Sequence, residues 1–281
     1  MVRWDGAGAA SSKGAKGLII RSVSTGLDNA PHTGTAHYRD TVAPIPAVAI
    51  GNTTADMLEQ ALSKSNVTAR LVSNCKMKGT TISYNVIGEL KGTQQPNKYI
   101  TVGGHLDSWD IGEGAHDDGA GCVQSVEVLR AFKAQNYRPN HTLRVVLFMN
   151  EENGNKGGKA YADSAAARNE QHIFALESDA GGFTPRGIGM ELSDEKRKHI
   201  QSWANLLQPF GLYDLTRVGS GVDIGPLKKL GVPVAELIPD SQRYFDLHHS
   251  RNDVFEAVNI RELNMGAAGM TALIYLIDKH W

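Results

Sequence analysis

At 281 residues the chain is long enough for one large α/β domain with a smaller appendage. A hydrophobic fraction of 41% and a charged fraction of 21% are ordinary for a globular protein, and no apolar run approaches the roughly 20 residues that a membrane-spanning helix needs. The formal net charge of -1, with no long basic block, gives phosphate backbones and anionic lipid no electrostatic reason to bind, so neither nucleic acid nor membrane is expected as a partner.

The first residues, MVRWDGAGAASSKGAKGLII, lack a long apolar core behind basic residues and do not read as a secretion signal, so the chain is either cytoplasmic or without its leader. Small, helix-tolerant residues at 7–16 predict a helix that runs into a short strand at 18–20. The segments 45–50, 57–62 and 67–72 repeat that pattern on a small scale, so residues 1–75 are expected to form a small domain, incomplete at its start. The main domain then occupies 76–281. Alternation over 80–90 predicts a half-buried strand, and the Gly, Gln and Pro residues of 91–97 predict a hairpin after it. Strands are expected at 99–102, 143–149, 173–176 and 232–238, with helices at 121–134, 158–167, 195–207 and 260–275. This rhythm predicts a three-layer αβα sandwich around a mostly parallel sheet. Cys75 and Cys122 lie in different elements and leave open a bridge or two buried thiols.

In open α/β sheets the ligand site lies beyond the carboxyl ends of the strands. Gly103-Gly104-His105-Leu106-Asp107, Asn150-Glu151-Glu152 and Glu177-Ser178-Asp179 each follow a predicted strand, and Leu247-His248-His249-Ser250 follows the last one. A further cluster, His116-Asp117-Asp118, precedes a helix. Taken singly, a carboxylate at a strand end is usually a cap or a solvated loop charge; their convergence carries the argument. Burying several carboxylates costs several kcal/mol per unpaired charge, and no matching concentration of Lys or Arg accompanies them, so a metal is the simpler counter-charge. Mixed imidazole and carboxylate ligands suit zinc, with manganese, cobalt or iron as alternatives, and the shortage of thiols speaks against a Cys-type structural site. The Gly-rich stretch 112–121 lacks a Gly-Lys-Ser/Thr ending, and 219–221 is no nucleophile elbow, which disfavours nucleotide binding and serine hydrolysis. His116 fits no ligand position and reads as a loop residue; His32, His37, His141, His172 and His199 are scattered and suggest no role.

The ordered stretches GGHLDSWDIGEGAHDDGAG, NEENG, ESDAG and HHSRND resemble the co-catalytic zinc exopeptidase family, which includes bacterial leucyl aminopeptidases and glutamate carboxypeptidase. PHTGTAHYRD and IPAVAI resemble the protease-associated domain found in such enzymes. The resemblance implies two Zn2+ per chain, or other divalent metals: His105 and Asp179 on one, Glu152 and His249 on the other, Asp117 bridging. It further implies a cis peptide bond after the bridging aspartate, Asp107 hydrogen-bonding His105, Glu151 as general base and His248 as an oxyanion donor. Ser220 and Gly221, within 219–223, would border the substrate pocket. The activity implied is hydrolysis of dipeptides or short peptides with free termini, with a metallocarboxypeptidase second; a one-zinc glutaminyl cyclase and a non-catalytic binding module are further readings on the same fold. A homodimer in an extracytoplasmic compartment is also implied.

Overall fold

Small residues near the start form a short helix and a minimal sheet in the computed structural model, which describes residues 2–76 and 78–281. Helix α1 (Val2–Ser12) leads to β1 (Leu18–Arg21), which pairs in parallel with β2 (Ala47–Ile50), and α2 (Asn52–Leu62) follows. The expected third run, 67–72, takes no regular structure; Val72 is 68% exposed, so the β-branched residues there have no packing surface to reward a strand. These elements form one compact unit, made of the chain up to Ile82 with Trp109–Gly112 and Phe245–Asp253. Hydrogen bonds hold the late segment in this unit. Asp246 accepts from Ser24 Oγ (2.9 Å), Thr25 N (2.8 Å) and Gly26 N (3.0 Å), and Asn252 Nδ2 donates to Asp28 Oδ2 at 2.8 Å.

The second unit comprises Ser83–Ser108, Glu113–Tyr244 and Val254–Trp281. Its strands are β3 (Val86–Leu90), β4 (Gln95–His105), β5 (His141–Phe148), β6 (Gln171–Glu177), β7 (Pro185–Glu191) and β8 (Val234–Pro239), in the spatial order β3-β5-β4-β6-β8-β7. The pairs β4–β5, β4–β6 and β6–β8 are parallel and the two edge pairs antiparallel, so the sheet is mixed and mostly parallel. Two expectations need correction. The strand predicted over 80–90 begins only at Val86, and Tyr84 is 76% exposed. The hairpin does not form either, because β3 pairs with β5 and leaves β4 on the far side of β5. Gly92 passes across the start of β5, where its N–H reaches Thr142 Oγ1 at 3.0 Å. The edge strand β7 had no counterpart in the sequence reading.

Helices α3 (Ala120–Ala134) and α4 (Lys156–Ala167) match expectation. The helix predicted over 195–207 is split into α5 (Asp194–Gln201) and α6 (Ala204–Leu207) where Trp203 turns into the core. A single turn, α7 (Tyr244–Leu247), precedes α8 (Ile260–His280), whose start is capped by Asn259 Oδ1 accepting from Arg261 N at 2.9 Å. Alternation along the strands feeds two cores. Leu143 and Val145 of β5 join Phe174, Leu176 and residues of α3, α5 and α8, whereas Val146 and Phe148 join Tyr161 and Ala165 of α4. Each buried Val, Leu, Ile, Phe or Met side chain among these stabilises the fold by about 1.5–3 kcal/mol. The register sets His105 opposite Phe148 and Gly103 opposite Glu177, so three strand ends finish side by side.

Candidate metal centre

The last residue of β4, His105, is buried and held at its backbone N–H and at Nδ1. Its backbone N–H donates to Asp118 Oδ2 at 3.0 Å, and its Nδ1 lies 2.7 Å from the backbone carbonyl of Asp107. A carbonyl only accepts, so Nδ1 carries a proton and Nε2 is the ring atom turned towards the carboxylates. Nε2 faces two carboxylate oxygens, Asp117 Oδ1 and Asp179 Oδ1, each 3.3 Å away; burial works against a charged ring, but these two carboxylates hold its pKa well above the usual imidazole range. Three electron-rich atoms converging in a buried space require a proton or a cation between them. The donor set of imidazole and carboxylate fits zinc or a similar divalent ion. His105, Asp117 and Glu152 offer ligand atoms within 4.8 Å of one another, and so do His105, Asp118 and Asp179.

The kinked turn Ala115–Gly119, in which Asp117 and Asp118 leave helical geometry, delivers the aspartates, and the Asp117–Asp118 peptide bond is cis. Asp118 also accepts from Gly121 N at 2.9 Å, so its carboxylate ties the end of β4 to the start of α3. Burial, and then the charge of Asp179, push the Asp118 carboxyl well above the usual range, and burial raises that of Asp179 against the pull of His105. The Glu151 carboxyl is pushed up to about 8, first by burial and then by Asp179. Positive charge placed among these groups acts in the opposite sense. Asp107 meets His105 through its backbone carbonyl; its Oδ1 stands 3.8 Å from Nδ1 and accepts the N–H of Glu151 at 3.0 Å.

The second unit therefore brings together His105, Asp107, Asp117, Glu151, Glu152 and Asp179. His248 and His249 belong to the first unit. There His249 has a left-handed backbone (φ 57°), its ring stacks on His248 with centroids 3.6 Å apart, and its Nδ1 lies 3.3 Å from Arg3 Nη2. Ser220 Oγ accepts from Lys228 Nζ at 3.3 Å, and Gly221 N donates to Glu236 Oε2 at 3.0 Å.

Several residues escaped the sequence reading. Glu177, fully buried, accepts from the N–H groups of Val222 (2.7 Å), Asp223 (3.3 Å) and Ile224 (2.8 Å) and so anchors the 219–224 loop. Asp223 is also fully buried, neither carboxylate oxygen has a hydrogen-bond partner, and burial pushes its carboxyl up to about 7. The Tyr244 phenol is held well above its usual range by burial and by Asp117 and Asp179. Glu177 stood in a strand-end cluster and Asp223 in the stretch expected to border the substrate pocket, but neither was given a role of its own, and nothing local in the sequence marks Tyr244. His116, expected to be a loop residue, is buried. The cysteines are free: Cys75 is exposed, while Cys122 is buried and its thiol donates to the His105 carbonyl at 3.0 Å, so neither a bridge nor a pair of buried thiols is found. Among the described residues no helix is long and apolar enough to cross a membrane.

The model of Peptidase family M28 matches residues 85–274. Carboxypeptidase Q of Bos taurus is 35% identical over 276 residues, which is 98% of this chain and 58% of the relative, and the protein of Homo sapiens gives the same figures. The chain thus spans somewhat over half the length of these curated relatives. Among solved structures, a Peptidase M28 precursor from Shewanella amazonensis SB2B superposes with a TM-score of 0.87 at 35% identity, covering 99% of this chain and 63% of that one. A zinc aminopeptidase from Bacillus subtilis shares the fold, with a TM-score of 0.65 at 21% identity over 97% of this chain and 66% of that one. With the match to the family model spanning the sheet and every strand-end cluster of the second unit, the chain belongs to Peptidase family M28.

Proposed function

We propose that the chain carries the catalytic part of a di-zinc exopeptidase that hydrolyses dipeptides or short peptides with free termini. One observation carries this reading: His105 Nε2 and the carboxylates of Asp117 and Asp179 converge at 3.3 Å in a buried space, a donor set in which a divalent cation can replace the proton between them. In this proposal His105 and Asp179 would hold one metal, Glu152 and His249 would hold the other, and Asp117 would serve both. When bound, the metal pair supplies Lewis acidity and makes water a better nucleophile near neutral pH. Glu151 takes the proton of the attacking water and returns it to the leaving amine. Asp107 fixes both ends of this arrangement, orienting His105 through its carbonyl and the Glu151 backbone through its carboxylate. His248 is proposed as a donor to the oxyanion, and the 219–223 loop with Ser220 and Gly221 as a wall of the substrate pocket. Residues 1–75 are proposed as a protease-associated domain; the homodimer and extracytoplasmic location implied by resemblance belong to the same reading. Carboxypeptidase Q relatives and zinc aminopeptidase folds both support an exopeptidase without deciding which terminus is read.

The test is metal content per chain by elemental analysis, paired with hydrolysis of an unblocked dipeptide and its N-acetyl form before and after chelation. Two metals with chelator-sensitive turnover of the free dipeptide alone are expected. Turnover of the N-acetyl form would favour a carboxypeptidase. No metal and no turnover after zinc is added back would overturn the reading in favour of a binding module.

A further inference from the structure

His116 precedes Asp117 in the chain and its ring is 1% exposed. Its Nδ1 accepts from the N–H of Gly182 at 3.1 Å. The ring proton therefore sits on Nε2, which lies 3.3 Å from the carbonyl of Ala257. These contacts reach two other segments of the second unit: Gly182 stands three residues after Asp179, and Ala257 closes the short turn Phe255–Ala257.

The ring is also held from the side. It stacks on Phe183 with centroids 4.3 Å apart and planes within 14°. The Arg243 guanidinium lies 4.8 Å from the centre of the Phe183 ring and makes two 2.8 Å bonds to Glu262, in the first turn of α8. Gly181 leaves the room for this column: its φ is 85°, and a Cβ there would fall 2.6 Å from the Phe183 ring and 3.2 Å from His116 Nδ1. A phenylalanine at position 116 could keep the stack, but it would leave the Gly182 N–H and the Ala257 carbonyl without this partner.

We propose that His116 is a positioning residue for the Asp117 and Asp179 carboxylates, joining the backbone beside one to the backbone just after the other. Both carboxylates stand 3.3 Å from His105 Nε2, and the His116 ring spans the two segments bearing them. It sets their separation, and so the geometry offered to the cation. This inference rests on the metallopeptidase reading above.

The experiment compares wild type with His116→Phe, His116→Asn and His116→Gln by cobalt(II) titration against a competing chelator, cobalt visible absorption, unfolding of the metal-free protein, and kcat and KM. Asn can accept from Gly182 N–H in place of Nδ1, whereas Gln reaches only the Nε2 position. His116→Phe is expected to weaken at least one cobalt-binding step about 10–100-fold, to change the cobalt spectrum and to lower kcat with KM little altered. His116→Asn should restore affinity and spectrum to within a few-fold of wild type. A wild-type cobalt affinity and spectrum in His116→Phe, whatever its unfolding temperature, would reduce the ring to packing and overturn the proposal. If His116→Phe does not fold, the Asn and Gln pair decides: weaker cobalt binding in Gln alone supports the proposal, and equal binding in both overturns it. A wild-type protein that binds no cobalt would instead overturn the metallopeptidase reading.

Discussion

The carboxylate of Asp118 occupies the space that a side chain on Gly104 would need, since a Cβ there would fall 2.3 Å from Asp118 Oδ2. The same oxygen accepts the backbone N–H of His105, so the end of β4 and the aspartate pair are fitted to each other. Gly104→Ala must therefore displace either the strand end or the carboxylate. A loss of about 1–3 kcal/mol of stability is expected from the overpacking, together with reduced metal content. Urea unfolding and elemental analysis check this, and a variant with wild-type stability and metal content would contradict the fit described.

Glu151→Gln preserves shape and removes the group proposed to move the proton. Metal content should stay at the wild-type level while dipeptide hydrolysis falls by about 10²–10⁴-fold, the usual contribution of a positioned general base. Steady-state rates on metal-quantified protein decide it; hydrolysis near the wild-type rate would remove Glu151 from the mechanism.

Glu177→Gln tests the loop anchor. The glutamate accepts three backbone N–H groups, and glutamine offers one acceptor while turning an NH2 towards donors. About 1–3 kcal/mol of destabilisation is expected from the unsatisfied groups, and KM should rise more than kcat falls if the 219–223 loop borders the substrate. An unchanged KM would separate this loop from substrate binding.

Acid sensitivity should come partly from buried histidines. Burial lowers the His172 pKa from 6.5 to about 4, although Glu170 pulls the other way. The unfolded chain then binds a proton that the folded chain refuses, so this residue destabilises the fold increasingly as pH falls from about 6.5 to about 4 and has no effect above that window. Glu170, held down to about 2 by Arg144 and Arg168 against the effect of its own burial, stays ionised throughout. His32, lowered to about 4 chiefly by burial, acts with the same sign in the first unit. Urea midpoints between pH 7 and 4.5 should fall less steeply in His172→Gln than in wild type; parallel profiles would sink this assignment.

The parallel centre of the sheet was legible because each strand is a short apolar run bounded by turn residues, and burial on both faces leaves that mark on any such run. The edges were not. Whether β3 pairs with β4 or β5 depends on which strand has an open edge, and no property of residues 86–90 records it. The split between α5 and α6 has the same origin: Trp203 leaves helical geometry to reach a core built from β6, β8 and α8.

Within the site, the residue types and their order along the chain decide which chemistry is available, because imidazole and carboxylate carry their affinity for cations wherever they are placed. Strand-end placement of His105, Glu151, Glu152 and Asp179 follows from local patterning as well. The tertiary structure alone decides which atom makes each contact and which neighbours share the burial. It gives His105 the carbonyl of Asp107 as its partner, and buries Glu177 under a loop some 45 residues later in the chain together with that loop's own Asp223. It also turns His116 from a loop residue into a ring spanning three segments. Burial is set by whatever distant chain packs against a residue, and hydrogen-bond partners are chosen only once that packing exists.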